Sequence, residues 1–404
     1  MAVLRFKDHN GQPFEAPDEL TIQDLFDKVK TINKDGCNKN VITNSAEHGL
    51  IPQGEFFDKD IAVEGNTNKY TVIHNGDFVY NPRKSTTAPY GPFNCYTRPE
   101  PGIVSPLYSC LTPKNKDYTP YLLYYFASPA WHSYIYHNGN QGGARHDRVG
   151  MTDDLLQGIP VTLPCQEEQA KITAFLSLYD RRIAVQTTKI EALETRRKGL
   201  LQQVFTQNIR FRADDGNEFP DWEQYTLGDI LTEYKEKCEN NGTYEHVSLT
   251  KEGVVPKTER YNREHLVTHD DKAYRVTHVD DICYNPANLK FGVICRNKYR
   301  DAIFSPIYVT FHVNEGFMPG FVERLVVRGD FIADALQYQE GSIYERMAVS
   351  PENLLSMTVE APTVAEQQKI AKFFDLIDEQ IQIEKDKQEA IKQVKKGLLQ
   401  QMFV

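Results

Sequence analysis

The chain has 404 residues, a formal net charge of −10, and a composition that is 40% hydrophobic and 25% charged. That length exceeds a usual single domain, so two or more hydrophobic cores are expected. The acidic balance excludes binding to nucleic acid by uniform positive charge, though not through a local basic groove or a partner that supplies the attraction.

No run of eighteen apolar residues occurs, and the start Met1-Ala2-Val3-Leu4-Arg5-Phe6 turns polar too soon for a signal peptide. A cytoplasmic protein is expected, with no membrane segment. The seven cysteines stand singly, without a C-x-x-C pair, which fits free thiols in a reducing compartment rather than a zinc ribbon or disulfide scaffold.

In chain order, Leu4-Arg5-Phe6-Lys7 leads through a polar turn to Phe14, Pro17 and a short amphipathic segment, Leu20 to Val29. Tyr70 to His74 and Asp77 to Tyr80 flank Asn75-Gly76, and this spacing predicts a hairpin because both turn residues tolerate positive φ. Ile103 to Tyr108 reads as a further strand interrupted by Pro106. A glycine-rich turn, Asn138 to Gly143, precedes Ala144-Arg145-His146-Asp147-Arg148.

The stretch from Leu163 to Phe205 then reads as a long helix, and the chain repeats it. Shifted by 198 residues, Arg148 to Thr206 lies on Arg346 to Val404 with 22 identities in 59 positions and no gap. Such self-similarity marks two copies of one unit. The matched landmarks are Pro164 with Pro362, Glu168-Gln169 with Glu366-Gln367, Asp180 with Asp378, and Lys198 to Gln203 with Lys396 to Gln401. Apolar residues recur at steps of four and three (Ile172, Leu176, Tyr179, Ile183, and Ile370, Phe374, Ile377, Ile381), the seam of a coiled coil. Forty residues at 1.5 Å each would make a rod of about 60 Å.

Seam positions in the middle are polar (Gln186 and Glu384, Arg197 and Lys395), which suits fixing of alignment rather than strength. Thr363 with Glu366 has the spacing of a capping box, whereas Cys165 holds the cap position of the first copy. Gly199 and Gly397 imply either a frayed helix end or close contact with a neighbouring backbone.

The second copy opens at Ile209-Arg210-Phe211-Arg212, as the first opens at Leu4-Arg5-Phe6-Lys7. Between these starts and the helices the two copies share little beyond Tyr80-Asn81-Pro82 with Tyr284-Asn285-Pro286, and Ser105-Pro106-x-Tyr108 with Ser305-Pro306-x-Tyr308. One scaffold with two divergent surfaces is implied.

Two variable domains alternate with two similar helices that open P-x-x-x-E-Q-x-K-I-x-x-F and close K-G-L-L-Q-Q-x-F. This arrangement resembles the specificity subunit of type I restriction-modification enzymes over the whole chain. The resemblance implies an α+β chain with a pseudo-twofold internal repeat. Its parts would be a first target recognition domain at 1–162, a spacer helix at 163–208, a second recognition domain at 209–360 and a second helix at 361–404. The helices would pair as an antiparallel coiled coil and dock two methyltransferase subunits, through which restriction and translocase subunits join. Each recognition domain would read half of a bipartite, asymmetric site in double-stranded DNA. The chain itself would be non-catalytic and need no cofactor. The alternative is a coiled-coil scaffold with two protein-binding ends and no DNA role.

Donors that match base edges or phosphates are Arg83, Lys84, Arg98, Gln141, Arg145, His146 and Arg148 in the first domain. The second domain offers Asn288, Lys290, Arg296, Tyr344 and Arg346. Arg148 and Arg346 occupy matched positions, which suits phosphate positioning. Phe175, Leu178, Phe373 and Leu376 are candidates for partner docking, or for burial against their own domains.

Asn81-Pro82-Arg83 and Asn285-Pro286-Ala287 resemble the N-P-P-aromatic motif of amino-methyltransferases but lack its second proline and aromatic, and a turn after a strand explains them. No phosphate-binding G-x-x-x-x-G-K-[ST] loop is present. His132 and His137 lack nearby acidic or cysteine partners in sequence and are read as core or surface histidines, with no metal expected.

Overall fold

The computed structural model describes residues 4–56, 67–139, 147–238, 243–251, 253–257, 274–341 and 347–403. The chain divides into two units: Met1–Thr187 with Asp386–Val404, and Thr188–Lys385. Each unit therefore holds the first part of one long helix and the last part of the other. The helices run from Gln166 to Phe205 and from Val364 to Met402. Among the described residues no helix is long and apolar enough to cross a membrane.

In the first unit the strand Asp18–Thr21 pairs antiparallel with Pro160–Leu163, from Asp18 opposite Leu163 to Thr21 opposite Pro160. One helical turn, Ile22–Leu25, follows, capped by Thr21 and Asp24. A four-stranded antiparallel sheet then runs Phe26–Lys28, Ser109–Pro113, Phe78–Tyr80, Phe93–Cys95. Its aromatic face (Phe26, Phe78, Tyr80, Phe93) packs on the helix Thr119–Ala127 and on Trp131. A second, smaller core behind the sheet gathers Ile42, Ile73, Val79, Tyr96 and Val104.

The second unit has the same order: Glu223–Thr226 with Thr358–Ala361, the turn Leu227–Ile230 capped by Thr226 and Asp229, and the sheet Leu231–Tyr234, Val309–Val313, Ile282–Tyr284, Ile294–Arg296. Behind it lies a five-stranded sheet in which Glu245–Leu249 runs parallel to Ala302–Phe304.

The Pro…Glu-Gln landmarks acquire specific partners. Glu168 is buried and accepts two bonds from the Arg5 guanidinium, at 2.6 and 3.1 Å; Glu366 accepts two from Arg210, both at 2.9 Å. Gln169 and Gln367 donate to the carbonyls of Pro164 and Pro362 at 2.7 and 2.8 Å. Phe6 meets Phe175 edge-on at 5.6 Å, and Phe211 meets Phe373 at 5.4 Å. The closing phenylalanines also enter cores: Phe205 stacks on Phe321 at 5.4 Å, and Phe403 lies 5.5 Å from Tyr121.

Within each unit the two helix segments run in opposite directions. In the first, Asp180 is ion-paired with Lys395, and Thr187 accepts from Gln388 at 2.6 Å. In the second, Lys189 meets Glu384 at 2.9 Å, Glu194 meets Lys385 at 2.7 Å and Arg197 meets Asp378 at 2.5 Å. Three of the polar seam positions, Glu384, Arg197 and Lys395, are thus used in ion pairs. Glu384 is buried, where a lone carboxylate would be costly without Lys189.

Three sequence expectations fail. Ile103 to Tyr108 is not one strand: Gly102–Val104 ends before Ser105, and a turn at 105–108 leads into Ser109–Pro113. Thr71–Ile73 and Phe78–Tyr80 are not a hairpin: the former pairs with Gly102–Val104, the latter with Ser109–Pro113 and Phe93–Cys95. The Asn75-Gly76 turn exists, with Gly76 at φ 93 and Asp77 accepting from the His74 amide at 2.7 Å, but it carries the chain from one sheet to another. Ile73 belongs to the smaller core and Phe78 to the larger, so burial overrides the local turn signal. Gly199 and Gly397 lie inside continuous helix, and a Cβ at either would meet nothing within 4 Å, which removes close backbone approach as their reason.

In the second unit His278 bridges two acidic side chains, with Asp301 at 3.0 Å and Glu236 at 3.1 Å, while its ring stacks on Tyr234. Burial disfavours the imidazolium, but the Asp301 and Glu236 carboxylates outweigh it, and the pKa is raised. A raised folded-state pKa stabilises fully below the unfolded value, about 6.5, and that stabilisation is lost as pH rises through the folded value. The Tm gap between wild type and His278→Gln should therefore be constant below about pH 6 and shrink above it; a gap that ignores pH in thermal melts contradicts this.

Candidate nucleic-acid interface

In the first unit the strand Phe78–Tyr80 ends at Asn81-Pro82, because proline cannot donate to the ladder. The Asn81 carboxamide then builds the turn: its Oδ1 accepts from the Arg83 amide at 3.0 Å, and its Nδ2 donates to the Asn44 carbonyl at 3.2 Å. Gly91 packs against this turn at φ 85, where a Cβ would sit 2.1 Å from the Asn81 carbonyl oxygen, so only glycine fits.

The segment after the glycine-rich run is joined alongside. The Lys84 amide donates to the Asp147 carbonyl at 2.8 Å, and the Val149 amide to that of Pro82 at 2.8 Å. Arg83, Lys84 and Arg148 are thereby brought to one cleft of about 470 Å³, shared with Ser45, Glu47 and Leu107. Arg83 is exposed and pairs loosely with Asp147 at 3.8 Å. Arg148 Nε is buried and finds no hydrogen-bond acceptor among the described residues. A cleft with three cationic side chains against the Glu47 and Asp147 carboxylates, beside turn carboxamides, can hold phosphate oxygens and reach base edges.

Arg98 lies elsewhere, beside the Asn75 turn, where its carbonyl accepts from Asn75 at 3.3 Å. Gln141, Arg145, His146, Tyr344 and Arg346 fall outside the described residues.

The second unit forms the same turn: the Ala287 amide donates to Asn285 Oδ1 at 3.1 Å, and the Val349 amide to the Pro286 carbonyl at 3.2 Å. The turn reading of both Asn-Pro pairs therefore accounts for their side chains. Asn288 opens the 3-10 turn Leu289–Phe291, which Gly292 ends at φ 76. Lys290 and Lys251 lie 5.0 and 6.0 Å from the exposed Phe291 ring.

Arg296 is drawn inward, to Glu323 at 3.2 Å and Asp280 at 3.7 Å, so its charge is engaged within the fold. Neighbouring Arg324 is 1% exposed and reaches Glu323 at 2.8 Å, Asp375 at 2.8 Å and Asp378 at 2.5 Å. Sequence reading missed this cluster because its members lie on separate elements without a local pattern.

Of the four helix positions proposed for docking, Phe175 and Phe373 pack on their own units, while Leu178 and Leu376 are exposed. His132 packs between Trp131 and Tyr90, and burial pushes its pKa down to about 4. His137 is exposed and bonds the Ser133 carbonyl at 2.7 Å.

Residues 18–195 match the family described as the type I restriction modification DNA specificity domain. The MjaX type I restriction enzyme specificity subunit of Methanocaldococcus jannaschii is 24% identical over 313 residues, which cover 72% of this chain and 68% of that protein. The MjaVIII specificity subunit of the same organism is 24% identical over 249 residues, 58% of this chain and 56% of that one. A chain from a solved structure concerned with assembly and conformational transition of a type I R-M system superposes with a TM-score of 0.54 at 12% identity, over 97% of this chain and 99% of that one, and so shares the fold.

Proposed function

We propose that this chain, whose residues 18–195 match the type I restriction modification DNA specificity domain, is a specificity subunit of that family and reads a bipartite, asymmetric DNA site through two unlike surfaces. The observation that carries this reading is the Asn-Pro turn, built alike in both units but followed by Arg83-Lys84 in one and Ala287-Asn288 in the other. A shared scaffold with different presented donors is what two different half-sites require.

The parts we propose are recognition domains at 1–162 and 209–360, with spacer helices at 163–208 and 361–404. These helices form an antiparallel coiled coil about a pseudo-twofold internal repeat. In support, Asp180 pairs with Lys395, and their matched residues Asp378 and Arg197 also pair. Two methyltransferase subunits dock on the helices, where Leu178 and Leu376 are exposed at matched positions. Restriction and translocase subunits join through them in the cytoplasm. The chain itself is non-catalytic, and methyl transfer and cleavage belong to the partners. Arg83, Lys84 and Arg148 hold phosphates in the first unit; Asn288 and Lys290 contribute in the second.

A gel shift of the chain with its methyltransferase, repeated across salt concentrations, tests the reading. Binding to the cognate duplex should fall steeply with salt, and Arg83→Ala with Lys84→Ala should reduce the log–log slope by about one for each phosphate no longer held. Binding that ignores salt, or none to any bipartite duplex, would instead favour a protein scaffold, to which the net charge of −10 is better suited.

A further inference from the structure

Each unit carries a tight Ser-Pro-x-Tyr turn whose third residue is a large aliphatic side chain standing in solvent. Leu107 is 58% exposed and Ile307 is 62% exposed. The turns are firmly built. The Tyr108 amide donates to the Ser105 carbonyl at 3.0 Å, the Tyr308 amide to that of Ser305 at 3.1 Å, and Ser105 Oγ accepts from the Leu107 amide at 3.3 Å. Flanking strands fix both ends: Gly102–Val104 and Ser109–Pro113 in one unit, Ala302–Phe304 and Val309–Val313 in the other. The tyrosine faces inward, with Tyr108 against the smaller core and Tyr308 edge-on to Phe304 at 5.0 Å. The aliphatic residue is therefore held outward by the same geometry that half-buries its neighbour.

A single exposed apolar residue is ordinary on a protein surface. An aliphatic residue at the same anchored position in two units that otherwise diverge in sequence calls for an occupant. Leu107 supplies one, because it lines the cleft that holds Arg83, Lys84 and Arg148. Those cations suit phosphates, which carry no sequence information; an aliphatic tip in the same cleft adds what they lack, an apolar surface for base edges such as the thymine methyl.

Resting on the DNA reading above, we infer that Leu107 and Ile307 are base-contacting specificity residues, one for each half-site. Neither touches phosphate, so their loss lowers discrimination without changing the ion count of binding.

The test uses the complex with its methyltransferase and a duplex carrying the bipartite site that the complex methylates in cells. Leu107→Ala should weaken binding to that duplex roughly tenfold. The salt slope and the affinity for unrelated duplex should stay at wild-type values, and Leu107→Ile should restore most of the loss. Ile307→Ala should relax selectivity at the other half-site alone. Unchanged cognate affinity in both alanine variants, a changed salt slope, or lost assembly with the methyltransferase overturns the inference. If the wild-type complex binds no methylated duplex, the DNA reading itself fails, a result separable from failure of these two residues.

Discussion

Arg210→Ala should lower the unfolding free energy by about 3–5 kcal/mol, read as a drop in the denaturant midpoint, because it strands a buried charge. Glu366 is fully buried, and both its oxygens accept from the Arg210 guanidinium, which itself keeps some access to water. Removing the arginine leaves a carboxylate with neither counterion nor solvent. Glu366→Gln removes the charge while keeping an acceptor in place, so it should cost less. Arg5→Ala repeats the experiment in the other unit, where Glu168 is buried and Arg5 Nη2 lies at 2.6 Å. If Glu366→Gln proved as damaging as Arg210→Ala, uncompensated burial would not be the cause.

Asp378→Ala should be the more harmful of two matched substitutions. Asp378 and Asp180 are equivalent in the repeated helix, yet they serve different cations. Asp378 holds Arg324 at 2.5 Å and Arg197 at 2.5 Å, and Arg324 is almost wholly buried. A guanidinium cannot discharge by losing its proton, so breaking its pairing costs on the order of 3 kcal/mol even though Asp375 and Glu323 remain. Asp180 holds Lys395 and accepts from the Tyr124 hydroxyl at 2.6 Å. Lysine there has a flexible stem and partial access to water, so Asp180→Ala should cost about 1 kcal/mol. Equal losses in parallel denaturant melts would show that Arg324 is not the decisive partner.

The helices were legible because periodicity is local. Ile172, Leu176, Ile370 and Phe374 are buried as the steps of four and three require. The Asn-Pro pairs were legible as turns for the same reason, since an asparagine carboxamide reaches only two residues along its own chain. Asn75-Gly76 shows the limit of such signals. It makes its turn, but strand pairing answers to which core each side chain enters, and Ile73 and Phe78 enter different ones.

The candidate site was legible only in part. Residue type points to Arg83, Lys84 and Arg148, but 65 residues separate Arg83 from Arg148, and only the bridge between them makes one cleft. Arg296 looked equivalent to them in sequence; Glu323 and Asp280 engage it because strand and helix happen to meet there. Leu107 carries no signal in the sequence, since nothing local distinguishes an aliphatic residue facing solvent from one in a core.

By itself the sequence determined the duplication, the two long helices and the motifs at their ends, since these rest on self-similarity and on interactions within a few residues. Only the tertiary structure decided what the motifs do. The Glu of each Glu-Gln pair lies 163 or 156 residues from the arginine it binds, and the closing phenylalanines complete cores assembled from distant strands. Pairings of that span depend on the path of the whole chain, which no local pattern encodes.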